Sequence, residues 1–475
     1  MKKSTLSGLI VLLCVLAWAG GSYVLGGQIR NLYQSSLNGA DTWGIFSLAA
    51  ADDYRRGVFS SQARTQVDLS LPRGEEAGAS ESVQLVFDHA FRHGPLPDGV
   101  SLPALAEVET RLAEVRLDGV EAQGFFEHFP ELEAAVAVTR VAFDGSTKSR
   151  LHIPPLERHD SEGVLKWQGL KIEAVAEPAG RALQGRVEMP GLEILAEGSR
   201  IELGGMRGEF DLAEALPWIY VGRSKMSLDR LEMEFPDGEA GGRRSFEVKA
   251  GTVTLDSLYE GDRLHYRESL EFARLGMDDE FFGPLSVEVE LRNLDGRALS
   301  DFMGQFQEAG RELAEVDPES RLIRLLPLYG ELATKLLAGG PELRIERLHL
   351  VAPKGEVRGG GRLGFAGESA FFLGDFAALL QQVEAAVELG AHERLVRSVL
   401  AETMRAELQA QAAARAEYGA EEIEPLLAES LESEIDNLLE RNFVVREGDK
   451  LKTTASLKNG IFTLNGVALP ISGGE

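Results

Sequence analysis

Asp88, His89 and His93 form the closest grouping of side chains that could bind a metal or move a proton, and His89 and His93 have the i, i+4 spacing of a metal pair on a helix. The preceding run Val83-Gln84-Leu85-Val86-Phe87 has strand character, and on a strand residues four apart stand about 13 Å from each other. No metal site is therefore expected. His93-Gly94-Pro95 reads instead as a strand exit whose imidazole bonds a nearby carbonyl. His152, His159 and Asp160 flank Pro154-Pro155 and are expected in a loop. Gly359-Gly360-Gly361 lack the lysine, the following serine or threonine and the strand-to-helix setting of a phosphate cradle. There is no Gly-x-Ser-x-Gly elbow, and Cys14, the single cysteine, sits in an apolar run, so thiol chemistry and disulfides are excluded from the rest of the chain. Neither a cofactor nor an enzymatic activity is expected.

The elements that position these residues begin with Leu6 to Leu25, twenty uncharged residues behind Lys2 and Lys3. As a helix this run would span roughly 30 Å, the thickness of a bilayer core, so a transmembrane anchor is expected over residues 1–27, with everything beyond it delivered to the far side. Ala17-Trp18-Ala19 before Gly20 gives the competing form of a cleaved signal, with the same final location. The net charge of −27 makes nucleic acid an improbable partner.

Residues 28–100 read as a linker helix over Gln28 to Leu37 and then a hairpin, with Val67, Leu69 and Leu71 alternating against polar residues and Val83 to Phe87 as the partner strand. From 101 to 296 short alternating runs follow one another. Leu285, Val287, Val289 and Leu291 interleave with Ser286, Glu288, Glu290 and Arg292, the pattern of a sheet with one buried and one wet face. The alternation slips near Asp229-Arg230 and at Gly251, as it would at bulges. Residues 297–340 are expected as helix broken at Pro318 and Pro327, residues 341–372 as strand, and residues 373–442 as amphipathic helices. In 443–475, Asn459-Gly460 is the preferred type I′ turn, which sets Leu457 opposite Phe462 and Ala455 opposite Leu464. The fold class expected is α+β: one transmembrane helix, a mainly antiparallel sheet and C-terminal helices.

Taken together, the anchor, the stretch Tyr54-x-Arg56-Gly57-x-Phe59-Ser60-Ser61, then His93-Gly94-Pro95, and finally Asn459-Gly460 with Asn465-Gly466 resemble the YdgA-type family of bacterial envelope proteins of unknown function. The resemblance implies an inner-membrane anchor and a periplasmic body in a Gram-negative bacterium, and it brings no catalytic site. The leading expectation is a non-enzymatic binding or scaffold protein of the envelope, with a protein partner or lipid bound beyond the membrane itself. The alternatives are a carrier holding lipid along a sheet groove and an envelope hydrolase. Scaffold and carrier differ in one feature. The helices of 376–442, through Leu426, Leu427, Leu431, Ile435, Leu438 and Leu439, are expected to cover the apolar sheet face, and coverage would leave no room for lipid.

Overall fold

The computed structural model describes residues 46–50, 54–72, 80–97, 103–122, 124–159, 161, 163–196, 198–236, 242–312, 318–365, 381–415 and 420–469. The anchor expected over 1–27, Cys14, the linker helix and Asp160 lie outside them. The chain divides into two compact units, one of residues 1–197, 203–220 and 303–325, the other of 198–202, 221–302 and 326–475.

In the first unit Ser60–Pro72 and Ser80–His93 form the expected long hairpin, with Val67 opposite Leu85. Ala106–Leu117, Val136–Val141, Thr147–Ile153, Leu170–Ala176 and Ala182–Ala196 then add in antiparallel order. Pro154-Pro155 lacks two N–H donors and breaks one strand into Thr147–Ile153 and Leu156–His159. Directly across, Gln168-Gly169 breaks its partner into Gly163–Trp167 and Leu170–Ala176. Gly169 has φ 89°, and a Cβ there would stand 2.6 Å from the Ile153 carbonyl oxygen, so only glycine fits the kink. His152 and His159 therefore sit on strands flanking the prolines, which corrects the expected loop.

The second unit is an antiparallel run of Ile219–Pro236 (from Val221 on), Arg243–Glu260, Arg263–Met277, Leu285–Asp295, Glu342–Ala352, Gly355–Phe365, Val383–His392, Lys450–Lys458, Ile461–Leu464 and Val467–Leu469. The two slips in alternation fall at one place: Asp229 and Ala250 lie between paired rungs, and Ala250 takes φ 47°. The terminal hairpin has the expected register, Leu457 opposite Phe462 and Ala455 opposite Leu464. Asn459 and Gly460 turn at φ 53° and 70°, and Asn465 and Gly466 repeat the device at 46° and 81°.

Two helical hairpins interrupt the strand order. Gly296–Glu312 and Pro318–Ala338 separate Leu285–Asp295 from Glu342–Ala352, and Asp295 Oδ1 caps the first of them by accepting from Ala298 N at 2.9 Å. Pro318 opens the second helix, whereas Pro327 lies inside it without ending it. Glu393–Arg415 and Ala420–Glu440 separate Val383–His392 from the C-terminal strands.

Two corrections to the expected fold class follow. Strand outweighs helix, 63% to 22%, so the described body is mostly antiparallel β and not α+β. Among the described residues no helix is long and apolar enough to cross a membrane, because each helix is amphipathic and carries charge along its length. The second correction is Val383–His392, expected as helix within 373–442. It is a strand paired on both sides: Val383, Val387 and Ala391 keep helical i, i+4 spacing, but Ala385 and Leu389 complete a period-2 row, and cross-strand pairing overrides the helix propensity of its glutamates and alanines.

Candidate functional site

The N-terminal motif residues, distant in sequence, converge on one end of the first unit's hairpin. Arg55 and Arg56 pair with Gln62 and Ser61, so Gly57 to Phe59 form a turn, closed by Gly57 N donating to Ser60 O at 2.8 Å. A Cβ on Gly57 would lie 2.6 Å from that same oxygen. His93 N donates to Phe59 O at 2.8 Å, and the His93 ring joins the turn to the strand exit. His93 Nδ1 donates to the Val58 carbonyl at 3.1 Å. A carbonyl only accepts, so Nδ1 carries a proton, and in the neutral ring Nε2 then receives the Ser61 hydroxyl hydrogen bond at 2.8 Å. Gly94 N donates to Leu105 O at 2.7 Å and Ala104 N to Pro95 O at 3.0 Å. Tyr54 lies against Phe91, 5.6 Å between ring centres, over a core of Ala63, Phe91, Leu105 and Ala106.

A serine donating to the unprotonated Nε2 of a histidine has the tautomer that nucleophilic catalysis needs. Here both side chains are 2% exposed, so the pair is sealed in the fold and acts as a pin. One step along the same face, His89 is held between Thr65 and Thr110, each at 2.8 Å, and burial pushes its pKa down, which keeps it neutral near pH 7. Asp88 points to the other face and pairs with Arg64 at 2.8 Å. The three side chains of the possible metal grouping thus have three separate partners. Among the described residues no cluster of metal-binding side chains exists. His159 pairs with Glu157 at 2.8 Å. The Ser61–His93 and Thr65–His89–Thr110 links escape sequence reading because they depend on hairpin register, although Ser61, Ala63 and Thr65 share a parity that places them on one face.

The C-terminal motif belongs to the second unit. Asn465 Oδ1 accepts from Thr454 N, and its Nδ2 donates to Asn442 O, both at 2.7 Å, tying the last hairpin to the end of the preceding helix. Asn459, Gly460 and Gly466 form the turns.

The second unit carries a feature of another kind. From Leu285–Asp295 through Ile461–Leu464, register aligns Val289, Ile345, Gly361, Val387, Ala455 and Leu464 in one rung, and Leu291, Leu343, Leu363, Ala385, Leu457 and Phe462 in the next. No charged residue occupies these rungs. Leu343 (38% exposed), Leu363 (48%), Val387 (47%) and Leu389 (39%) stand open to solvent. The C-terminal helices do not lie over them. Their apolar residues Leu427 and Ile435 are buried, and Arg397 bridges the two helices by reaching Glu432 at 2.8 Å. The pair meets the sheet at strand ends, through Glu393 N to Asp449 O at 2.9 Å and Arg446 to Glu393 at 2.9 Å. Among the described residues the expected coverage is absent, and the buried Leu427 and Ile435 are satisfied elsewhere. Gly359 and Gly361 sit mid-strand on this face. Cβ atoms there would stand 2.9 Å from Leu389 Cδ1 and 2.7 Å from Val387 Cγ2, so the glycines let those side chains lean across the strand.

The motif knot yields a stability prediction. Gly94→Ala places a Cβ 1.9 Å from the Ala104 carbonyl oxygen, and the required backbone shift is expected to cost more than about 2 kcal/mol in urea unfolding. His93→Gln retains one donor and should cost less, about 1–2 kcal/mol. A Gly94→Ala variant within about 0.5 kcal/mol of wild type contradicts this assignment.

The chain matches, over residues 1–472, the bacterial family described as "Bacterial protein of unknown function (DUF945)". It is 20% identical over 340 residues to an "Uncharacterized protein" of Haemophilus influenzae, covering 66% of this chain and 89% of that protein. No solved structure matches it. With the family match running nearly end to end, the chain belongs to the DUF945 bacterial proteins of unknown function.

Proposed function

We propose that this chain is an exported protein of the YdgA type that works in the cell envelope of a Gram-negative bacterium and holds the hydrocarbon of lipids on the open apolar face of its second unit. The observation that carries the reading is the uncharged face from Leu285 to Leu464, where Leu343, Leu363, Val387 and Leu389 are each more than a third exposed. Contiguous apolar surface of this kind is costly in water unless a ligand covers it. Hydrocarbon suits it better than a folded partner does. The rungs offer side chains of graded size around Gly359 and Gly361, with Thr453 opposite Leu389 as a polar exception. Catalysis has no part in the proposal, since Ser61 and His93 are sealed. The scaffold reading loses the helix coverage on which it depended.

Export rests on Lys2 and Lys3 before the uncharged run Leu6 to Leu25, and on the absence of cysteine after Cys14. An alkaline phosphatase domain fused after Leu469 should be active in cells, and an inactive fusion with a fluorescent cytoplasmic counterpart would place the body inside.

Lipid holding is tested by native mass spectrometry of the purified full-length chain and of Val387→Asp/Leu389→Asp. Both side chains are exposed, so the variant should melt within a few degrees of wild type while losing most co-purified lipid. Lipid retained equally by the variant, or a protein partner recovered in place of lipid, would overturn the reading.

A further inference from the structure

On the opposite, polar face of the same strands, a groove of about 850 Å³ runs over Glu342–Ala352, Gly355–Phe365, Val383–His392 and Lys450–Lys458. Five cationic side chains line it, Arg344, Arg358, Arg362, Lys450 and Lys452, against the carboxylates Glu346, Glu388 and Glu447. With Glu342 and Glu356, which pair with these cations, the local count is five of each sign, a balanced patch in a chain whose net charge is −27. The recess exists because the positions between the long side chains are small. Gly360 separates Arg358 from Arg362 along one strand, Ala386 stands opposite Arg362, and Gly390 lies opposite both Arg358 and Lys452.

The pairing also holds an unfavourable contact. Arg344 and Arg362 are directly opposite on adjacent strands, a like-charge pair that opposes sheet formation. Arg344 is partly compensated by Glu342 at 2.9 Å, Arg358 and Lys450 by Glu356 at 3.0 and 2.8 Å, and Lys452 by Glu388 at 2.7 Å. Among the described residues Arg362 has no carboxylate partner, and Arg344 Nε, enclosed, has no hydrogen-bond partner. Two opposed guanidinium groups become favourable when an anion accepts from the exposed N–H groups of both.

We infer that this groove binds a phosphate-bearing ligand through Arg344 and Arg362, with Arg358 at its other end. A phosphate dianion would accept from both arginines. The volume leaves room for the group that carries it. The site lies on the face opposite the apolar rungs and does not depend on lipid being held there.

The test uses the full-length chain, wild type and Arg362→Gln, with inorganic phosphate at ionic strength matched by chloride. Phosphate should raise the wild-type melting temperature saturably. Arg362→Gln should melt at or above wild type without phosphate, because the like-charge pair is gone, and should bind phosphate at least tenfold more weakly. Flotation with phosphatidylglycerol vesicles separates two sources. A drop in the variant assigns the phosphate to a lipid headgroup, and unchanged flotation assigns it to a soluble phosphorylated compound. Absence of a saturable response in wild type, or an equal response in the variant, overturns the site. Phosphate binding by Val387→Asp/Leu389→Asp should match wild type, so failure here is separable from failure of the lipid reading.

Discussion

The second unit depends on a constraint of antiparallel pairing: side chains alternate strictly between faces, so a sheet whose sequence alternates acquires one wet and one dry side. Its wet side is closed by cross-strand ion pairs, among them Arg267 with Glu288, Lys452 with Glu388 and Lys458 with Glu384 at 3.5, 2.7 and 3.3 Å. Such exposed pairs are each worth about 0–1 kcal/mol and serve more to fix register than to hold the sheet together. The backbone ladder supplies the cohesion. The dry side, by contrast, has no covering helix among the described residues where Leu343 to Leu389 are open, and that unfilled requirement motivates the functional reading. Burial follows the same logic, for the largest fully buried side chains among the described residues are Leu264 and Ile435, neither of them in these open rungs.

The first unit solves a different problem. Its hairpin end buries Ser61, Thr65, His89 and His93, and each of these polar groups finds a partner across a strand. An unpartnered polar group there would cost more than the hydrogen bond itself contributes, so the motif residues must occur together or not at all. A Ser–His pair in the catalytic tautomer can thus arise from packing alone.

Much of this was legible in the sequence. The period-2 pattern of Leu285 to Leu291 and the Asn459-Gly460 turn each identified a strand face or register that the structure has, because both signals are local. The resemblance located Tyr54, Gly57, Ser61, His93 and Gly94 as a group, but their roles depend on contacts between strands, which no local pattern carries. Val383 to Ala391 satisfied helical and strand periods at once, and pairing on both sides decided between them. The open face could not be read for the same reason: an inward-looking apolar row has the same sequence whether a helix covers it or not.

The central claim is that hydrocarbon contacts one face of the second unit and not the other. A photo-crosslinking amino acid placed at Val387, on the dry side, and separately at Glu388, on the wet side, tests it in cells carrying radiolabelled acyl chains. Adducts through the acyl chain are expected at position 387 and not at 388, two positions adjacent in sequence that occupy opposite faces. Equal labelling at both, or protein adducts alone at 387, would contradict it.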